Sequence, residues 1–286
     1  MKKLLCAVLA AVMMLSVILP VLAEDSEVEW EEIFEEVADD SAPSAHGDEV
    51  PWTFPVALED MDPTLIVLAN KHMLIDKDYV SGELVTMKRR KEAADGSNAN
   101  GGVRKASSSE MQLEKRCGTA LVEMFEAAAE DGIKLYLKSA YRSYRTQKTM
   151  YYNRLEKNGG KDDGWVAKPG TSDHQTGLGC DIVSYAWCDK AMNEKFAQTK
   201  EAQWMAEHCH EYGFILRYPE DKTEVTEINF EPWHMRYVGI PAATYIMENG
   251  LCLEEFYEEL QLAIDEYLAA GGDPEKVNKF IQVSAE

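Results

Sequence analysis

A histidine and an aspartate, two residue types that bind divalent cations, lie close together in "TSDHQTGLGCD", residues 171–181. His174 and Asp181 are separated by six residues, which include Gly177 and Gly179. In an extended strand the two side chains would stand roughly 20 Å apart, whereas atoms that bind one Zn²⁺ each lie about 2.0–2.2 Å from it. A shared site therefore requires the segment to fold back on itself, and glycine permits the positive φ angles of such a reversal. The same pattern also fits a glycine-containing loop that leads into a strand.

A second histidine with a nearby carboxylate lies in "EPWH", where Glu231 precedes His234 by three residues. A hydrolytic zinc site needs three protein ligands, an open position for water and a carboxylate that is not a ligand. His174, Asp181 and His234 supply the ligands, and Glu231 would exchange a proton with the water and the leaving amine. The other four histidines have no comparable partner in the sequence: His46, His72, His208 and His210.

The spacing of Glu231 and His234 does not suit an ideal strand. Strand positions three apart point to opposite faces, and Pro232 is restricted to edges, strand starts or bulges. We therefore expect a bend or an edge position at Pro232 that brings both side chains to one cavity.

An arginine pair lies in "SAYRSYRTQ", residues 139–147, at a predicted junction of a strand and a helix. Arg142 and Arg145, with Ser143 and Gln147 beside them, could hold a carboxylate, because guanidinium groups bind carboxylates bidentately and helix starts favour anions. A carboxypeptidase needs such a clamp for the substrate's C-terminal carboxylate. A capped helix with two surface arginines explains the same residues.

Four stretches together resemble the VanY-type D-alanyl-D-alanine carboxypeptidase family of zinc peptidases: "SAYRSYRTQ", "SDHQTGLGCDI", "YGFILRYPEDK" and "FEPWHMRYVG". The resemblance runs from about Leu65 to Ile240 and keeps the family's order. It implies that His174, Asp181 and His234 bind a single zinc ion and that Glu231 is the catalytic base.

The resemblance also implies a substrate, because the family removes the C-terminal D-alanine of peptidoglycan stem peptides. Some members act on D-Ala-D-Ala ends, and others cleave the L,D bond of a tetrapeptide. The substrate-binding residues implied by the match are Arg142, Ser143, Gln147, Ser172, Tyr218 and Trp233.

The chain departs from the family pattern at two places near the site. Gly179 and Cys180 stand where the family often has a small aliphatic pair, and Glu227 and Phe230 lie where a glycine commonly precedes the "EPWH" stretch. Neither change removes a ligand or the base, although both bear on the shape that the family pattern implies for the substrate pocket. Cys180 could bind metal or pair with another cysteine, but we expect a buried structural role.

The elements that must position these residues alternate between helical and strand patterns. Apolar spacing predicts helices over 109–132, 144–160 and 200–213, and a further amphipathic helical region after Ile240. Strand patterns cover 133–141, 180–185, 214–219 and 228–239, and residues 91–109 are typical of a loop. This order predicts an α+β fold in which helices flank a small, mostly antiparallel sheet.

The remaining segments indicate export. Residues 1–23 are typical of a signal peptide cleaved after Ala23, although their apolar run is long enough to remain as an anchor. Residues 24–50 form an acidic tether, which could instead include a short helix. A zinc carboxypeptidase domain is predicted over 51–245 and a helical appendage over 246–286. The domain is therefore expected outside the cytoplasm, and only an uncleaved N-terminal segment would contact a membrane.

Composition excludes other function classes. The formal net charge of −22 argues against nucleic-acid binding, which needs clustered basic residues. The five cysteines after residue 23 are an odd number, so at least one thiol is expected to be free or paired between chains. They are Cys117, Cys180, Cys188, Cys209 and Cys252.

The favoured interpretation is an exported, monomeric zinc carboxypeptidase that acts on peptidoglycan stem peptides, with D,D-cleavage preferred to L,D-cleavage. Two other hypotheses are a zinc-bearing module that binds wall peptides without cutting them, and a zinc ion with only a structural role. Glu231 argues against the first, and a three-ligand site with an open position argues against the second.

Overall fold

The computed structural model describes residues 50 to 285. The predicted signal segment, and all but the last residue of the predicted tether, lie outside the described residues. Within the described part, no helix combines the length and the apolar character of a membrane-spanning segment.

The sheet that supports the site has four strands, and every neighbouring pair in it is antiparallel. The strands of residues 50 to 285 are β1 (Leu84–Thr86), β2 (Gln112–Glu114), β3 (Leu135–Ser139), β4 (Gly179–Ser184), β5 (Phe214–Leu216) and β6 (His234–Tyr237). The order across the four-stranded sheet is β3-β4-β6-β5, and β1 pairs with β2 in a separate two-stranded sheet. β4 and β6 are therefore central neighbours.

Helices of very different lengths surround this sheet. In the described chain they are α1 (Lys115–Glu130), α2 (Tyr144–Lys157), α3 (Asp173–Thr176), α4 (Lys200–His208), α5 (Thr223–Thr226), α6 (Ile240–Glu248), α7 (Leu253–Ala269) and α8 (Pro274–Val277). The predicted α+β class with a small antiparallel sheet is confirmed.

Two predicted elements begin later than the apolar pattern suggested. The helix predicted over 109–132 begins at Lys115, because residues 112–114 pair with β1 and the Glu114 carboxylate caps the helix by accepting from the backbone N–H of Arg116 and Cys117. The strand predicted over 228–239 begins only at His234, because the residues before it form a turn.

Buried apolar side chains form two clusters. One joins the sheet to α1 and α4 and includes Leu121, Leu137, Ile182 and Met205. The other packs α6 and α7 against residues near the start of the described chain and includes Phe54, Ile246, Phe256 and Leu260. The amphipathic stretch predicted after Ile240 is therefore buried along one side. The predicted domain boundaries stay predictions.

The end of the chain lies along a segment near its start. The backbone N–H of Leu68 donates to Oε1 of Gln282 at 2.8 Å, and Nε2 of Gln282 donates to the Leu68 carbonyl at 2.6 Å. The backbone N–H of Ala285 also donates to the Leu74 carbonyl at 2.8 Å. Residues more than 200 positions apart in sequence are thereby held together.

The five cysteines of the described residues are all free thiols, and only Cys188 is not fully buried. Cys180 is buried in β4, opposite Met235 of β6, which agrees with the structural role expected for it.

Candidate active site

The pairing of β4 with β6 brings two of the candidate ligands together. Asp181 of β4 lies directly opposite His234 of β6 in the antiparallel register. Side chains at directly opposed positions stand about 4.5–5.5 Å apart at their Cβ atoms and point to the same face of the sheet. The register alone therefore places a carboxylate beside an imidazole.

A reversal of the chain brings in His174. This residue lies on the short helix α3, which ends at Gly177 with φ +80°, and the chain then enters β4 at Gly179. Nδ1 of His174 lies 2.7 Å from the Ala140 carbonyl, which accepts a hydrogen bond from it. Because Nδ1 carries the hydrogen, Nε2 keeps a lone pair, and it faces Asp181. The segment folds back as a shared site requires.

Gly177 should be hard to replace. A Cβ at this position would lie 2.9 Å from Cδ2 of Leu84 and 3.2 Å from the backbone N of Glu114. Gly177→Ala should lose about 1–2 kcal/mol of unfolding free energy for its left-handed backbone and about 1–3 kcal/mol more for the crowding.

Chemical denaturation measures this effect, with Gly250→Ala as the matched control. Gly250 also has positive φ, at 62°, but a Cβ there would meet no atom within 4 Å. Equal losses of stability in the two variants would contradict the role given to crowding at Gly177.

The spacing of the donor atoms fits a tetrahedral zinc ion. Oδ1 of Asp181 lies 3.1 Å from Nδ1 of His234 and 3.5 Å from Nε2 of His174. Ligands about 2.0–2.1 Å from a tetrahedral Zn²⁺ stand about 3.3 Å from one another. The three residues are buried, and each offers a ligand atom within 4.8 Å of the others. Two imidazoles and one carboxylate are also a donor set that zinc accepts.

The electrostatics of these three residues favour a cation. Burial, with the charge of Arg142, lowers the pKa of His174, so its imidazole is neutral. Burial by itself would raise the pKa of Asp181, but the two histidines hold it well below its usual range. Burial opposes charge on His234 as well, yet Asp173 and Asp181 raise its pKa to about 9. Carboxylates that attract a proton here would attract a metal ion in the same way.

Glu231 reaches the same point from the turn before β6. The backbone N–H of His234 donates to the Glu231 carbonyl at 3.0 Å, so the bend expected at Pro232 is present. Oε2 of Glu231 lies 3.7 Å from Nδ1 of His234, and Glu231 is not one of the three grouped donors. Burial raises the pKa of the Glu231 carboxyl to about 8, an effect opposed by the charge of His234. A divalent cation beside it would lower that pKa again.

A cavity of about 330 Å³ opens beside these residues. The predicted residues that line it are Arg142, Gln147, Ser172, His174, Asp181, Tyr218, Glu231, Trp233 and His234. Trp233 stacks on Trp165 across part of the wall, with ring centroids 6.2 Å apart and planes 15° apart. The space suits the end of a peptide, since pockets for small ligands usually hold 300–1,000 Å³.

Arg142 carries a half-buried positive charge beside the cavity. Its Nη1 donates to Oε1 of Gln147 at 2.7 Å, and Nε2 of Gln147 donates to the Ala167 carbonyl at 2.6 Å. Gln147 therefore fixes the orientation of the guanidinium. Within residues 50 to 285 no carboxylate forms an ion pair with Arg142, so its charge is available to an anionic group of a ligand.

Ser143 and Arg145, predicted beside Arg142, do not line the cavity. The Ser143 hydroxyl accepts a hydrogen bond from the backbone N–H of Thr146 and caps α2. The hydroxyl that was expected to contact substrate is therefore engaged within the helix. Arg145 is exposed. The capped-helix interpretation thus describes these two residues, whereas Arg142 and Gln147 face the cavity.

Several lining residues escaped prediction: Met150, Arg154, Trp165, Val166, Ala167, Met192 and Ile228. Three of them, Trp165, Val166 and Ala167, come from the segment after α2, whose sequence has no chemical signature beyond Trp165, and Met150 and Arg154 lie on α2 itself. An apolar or aromatic residue in a loop region was the only available signal.

Comparison with known proteins connects this site to a family. A family model described as VanY: D-alanyl-D-alanine carboxypeptidase matches residues 110–240. The putative carboxypeptidase YodJ of Bacillus subtilis is 42% identical over 150 residues, which are 52% of this chain and 55% of that protein. The chain spans little more than half the length of several curated relatives that it matches.

Two solved structures are similar over most of their own length. One is the LdcB LD-carboxypeptidase, a structure described as revealing the molecular basis of peptidoglycan recognition. It is 36% identical with a TM-score of 0.59, and the match covers 68% of this chain and 87% of the LdcB chain. A variant of VanY, a vancomycin-resistance D,D-pentapeptidase, in complex with Zn(II) is 32% identical with a TM-score of 0.51. The match covers 68% of this chain and 98% of the VanY chain.

Proposed function

Because the chain belongs to the VanY family of D-alanyl-D-alanine carboxypeptidases, we propose that it is a zinc-dependent carboxypeptidase that removes the C-terminal D-alanine of peptidoglycan stem peptides. The observation that carries the proposal is the group formed by His174, Asp181 and His234, whose spacing fits one zinc ion. A relative with a similar structure binds Zn(II).

The chain's own residues divide the work of hydrolysis among them. His174, Asp181 and His234 would hold the ion and leave a position open toward the cavity. Bound zinc supplies a Lewis acid that polarises the peptide carbonyl and lowers the pKa of a water molecule. Glu231 accepts a proton from that water and later donates it to the nitrogen of the departing D-alanine. Its position suits this exchange, because the carboxylate lies beside His234 without being one of the three grouped donors.

Arg142 and Gln147 hold the substrate. The guanidinium lacks an ion-pair partner among the described residues, and a peptide ends in a carboxylate that can bind it bidentately. The hydrogen bond from Gln147 to the Ala167 carbonyl fixes the guanidinium before substrate arrives, which reduces the entropy lost on binding.

The favoured reaction is D,D-cleavage, in keeping with the family description and with the activity of the similar VanY enzyme. L,D-cleavage of a tetrapeptide stem is the second candidate, since the similarity to the LdcB LD-carboxypeptidase has the higher TM-score of the two structures. A module that only binds wall peptides is disfavoured, because binding alone does not require a buried carboxylate at the position of Glu231.

The place of action that we propose is outside the cytoplasm. Stem peptides lie on that side of the membrane, and residues 1–23 have the pattern of a secretory signal.

The proposed activity is tested by incubating the purified chain with pentapeptide and tetrapeptide stems and following the products by mass spectrometry. Zinc-loaded protein should release one D-alanine from the pentapeptide. Chelator-treated protein should release none, and adding zinc back should restore the reaction, because the open position and its water depend on the ion.

The choice of stem separates the candidates. Release of alanine from the tetrapeptide alone would replace the D,D-activity with the L,D-activity. Zinc-bound protein that cuts neither stem would refute the carboxypeptidase and leave the binding module. Equal rates with and without chelator would refute the role of zinc.

A further inference from the structure

Four charged side chains are buried together beneath the candidate metal site. They are Asp173, Arg217, Arg236 and Glu254, and all but Glu254 have no exposed surface. Two positive and two negative charges make the cluster neutral. Burying charges costs several kcal/mol per ion unless they are paired and hydrogen-bonded, so a cluster of this kind needs a reason to be retained.

Arg217 joins the two carboxylates of the cluster. Its Nη1 and Nη2 donate to the two oxygens of Glu254 at 2.7 and 2.6 Å, and its Nε donates to Oδ2 of Asp173 at 2.7 Å. The bidentate contact with Glu254 fixes the plane of the guanidinium. The position of Asp173 therefore depends on the contact of Arg217 with α7.

Arg236 holds Asp173 from the other side. Its Nη1 donates to Oδ1 of Asp173, and its Nη2 donates to the carbonyls of Leu65 and Val67 at 2.8 and 2.7 Å. With both oxygens engaged, the Asp173 carboxylate has one orientation. The guanidinium groups of Arg217 and Arg236 place positive charge on both sides of this carboxylate.

The cluster meets the metal site at His234. Oδ2 of Asp173 lies 3.9 Å from Nε2 of His234, too far for a hydrogen bond. This Nε2 is buried and has no hydrogen-bond partner among residues 50 to 285. If Nδ1 binds a metal, Nε2 must carry the hydrogen. Histidine ligands almost always donate that hydrogen to a carboxylate, a carbonyl or a water, which orients the ring.

We propose that Glu254, through Arg217 and Asp173, is a positioning residue that holds the imidazole of His234 with Nδ1 toward the metal. The inference rests on the proposed zinc function. Glu254 lies on α7, beyond residues 110–240 that the family model matches, so it links the helical end of the chain to the centre of the site.

Loss of the Glu254 charge should weaken zinc binding at His234. Glu254→Gln leaves two buried guanidinium groups with one carboxylate, and both compete for Asp173. The Asp173 carboxylate then attracts the Nε2 side of the His234 ring less strongly, and an uncompensated positive charge beneath the site opposes a divalent cation. Zinc affinity should fall by about tenfold or more, as it does when outer partners of metal ligands are replaced.

The experiment measures the full chain in competition with a chromophoric chelator for zinc, and then records the visible spectrum of the Co²⁺-substituted protein. Glu254→Gln should weaken zinc binding and shift the Co²⁺ bands, and Glu254→Asp, which keeps the charge, should fall between it and wild type. Glu255→Gln is the matched control, because Glu255 is the next residue of α7 but pairs with Lys222 at 3.0 Å. It should leave both readouts unchanged.

Thermal unfolding of the chelator-treated variants measures any purely structural cost separately. Wild-type zinc affinity and Co²⁺ bands in Glu254→Gln, whatever its melting temperature, would overturn the proposal. Should that variant not fold, the same result in Glu254→Asp would overturn it, because the shorter side chain cannot keep the bidentate contact.

The two proposals fail in different ways. Zinc affinity needs no substrate, so wild-type protein that binds zinc but cuts no stem refutes only the carboxypeptidase. Wild-type protein that cuts stems, with a Glu254→Gln variant of unchanged affinity, refutes only the role of Glu254. Wild-type protein that binds no zinc overturns both.

Discussion

Replacing Glu231 with glutamine should slow the release of D-alanine by about 10²- to 10⁴-fold, the range expected when a general acid–base group is lost. Glutamine keeps the shape of the side chain but cannot take a proton from water. Glu231 is well placed for that role, because it is buried and its Oε2 lies 3.7 Å from Nδ1 of His234 without belonging to the ligand group. The measurement is kcat/KM on the stem peptide that the wild-type protein cuts.

Zinc content distinguishes this effect from damage to the metal site. The Glu231→Gln variant should bind one zinc ion with nearly wild-type affinity. Glu224→Gln makes the same chemical change at an exposed position on α5 and should keep full activity. A Glu231→Gln protein that retains a tenth or more of the wild-type rate would remove Glu231 as the base.

The second large effect is expected at Asp181, where Asp181→Asn should abolish stable zinc binding and, with it, activity. Oδ1 of Asp181 lies within 3.5 Å of ligand atoms from both histidines, so it is the donor common to the whole group. Structural zinc sites with four protein ligands bind the ion with about 10–16 kcal/mol, so one ligand of such a site contributes about 2.5–4 kcal/mol. That share corresponds to about 10²- to 10³-fold in affinity.

Chelator competition and metal analysis after dialysis measure the loss. Asp189→Asn provides the control. Asp189 is exposed, lies five residues after the end of β4, and is not among the grouped donors. If Asp181→Asn bound zinc as tightly as Asp189→Asn, the assignment of the metal site to this carboxylate would be wrong.

The candidate site was largely predictable because its chemistry depends on residue types that stand out in sequence. The glycines between His174 and Asp181 predict a chain reversal, and the proline between Glu231 and His234 predicts a bend. The structure brings these four side chains together. What the sequence could not provide was the register that sets Asp181 opposite His234. Strand pairing depends on which edges meet after the chain has folded.

The buried charge cluster shows the other limit. Glu254 lies in the first turn of an amphipathic helix, where acidic residues are common on exposed surfaces because they favour the helix dipole. Its partner Arg217 is 37 positions earlier in the chain. Nothing local to either residue indicates that they are buried together, since pairing over such a separation is decided by tertiary packing.

Ser143 illustrates a third limit, in which one residue type serves two purposes. A serine before a helix is both a good cap and a good hydrogen-bonding group for a ligand. The family motif favoured the ligand-binding role. In the structure the Ser143 hydroxyl acts as the cap, because it accepts a hydrogen bond from the backbone N–H of Thr146.

The contact of the last residues with the segment around Leu68 has a consequence for the kinetics of folding. Hydrogen bonds that join positions 214 residues apart close only after almost the whole described chain is available, and non-local closures of this kind slow folding. During synthesis the early segment, including Leu68 and Leu74, must wait for its partners. Until they arrive it exposes apolar surface, and transiently exposed apolar surface of this kind promotes aggregation.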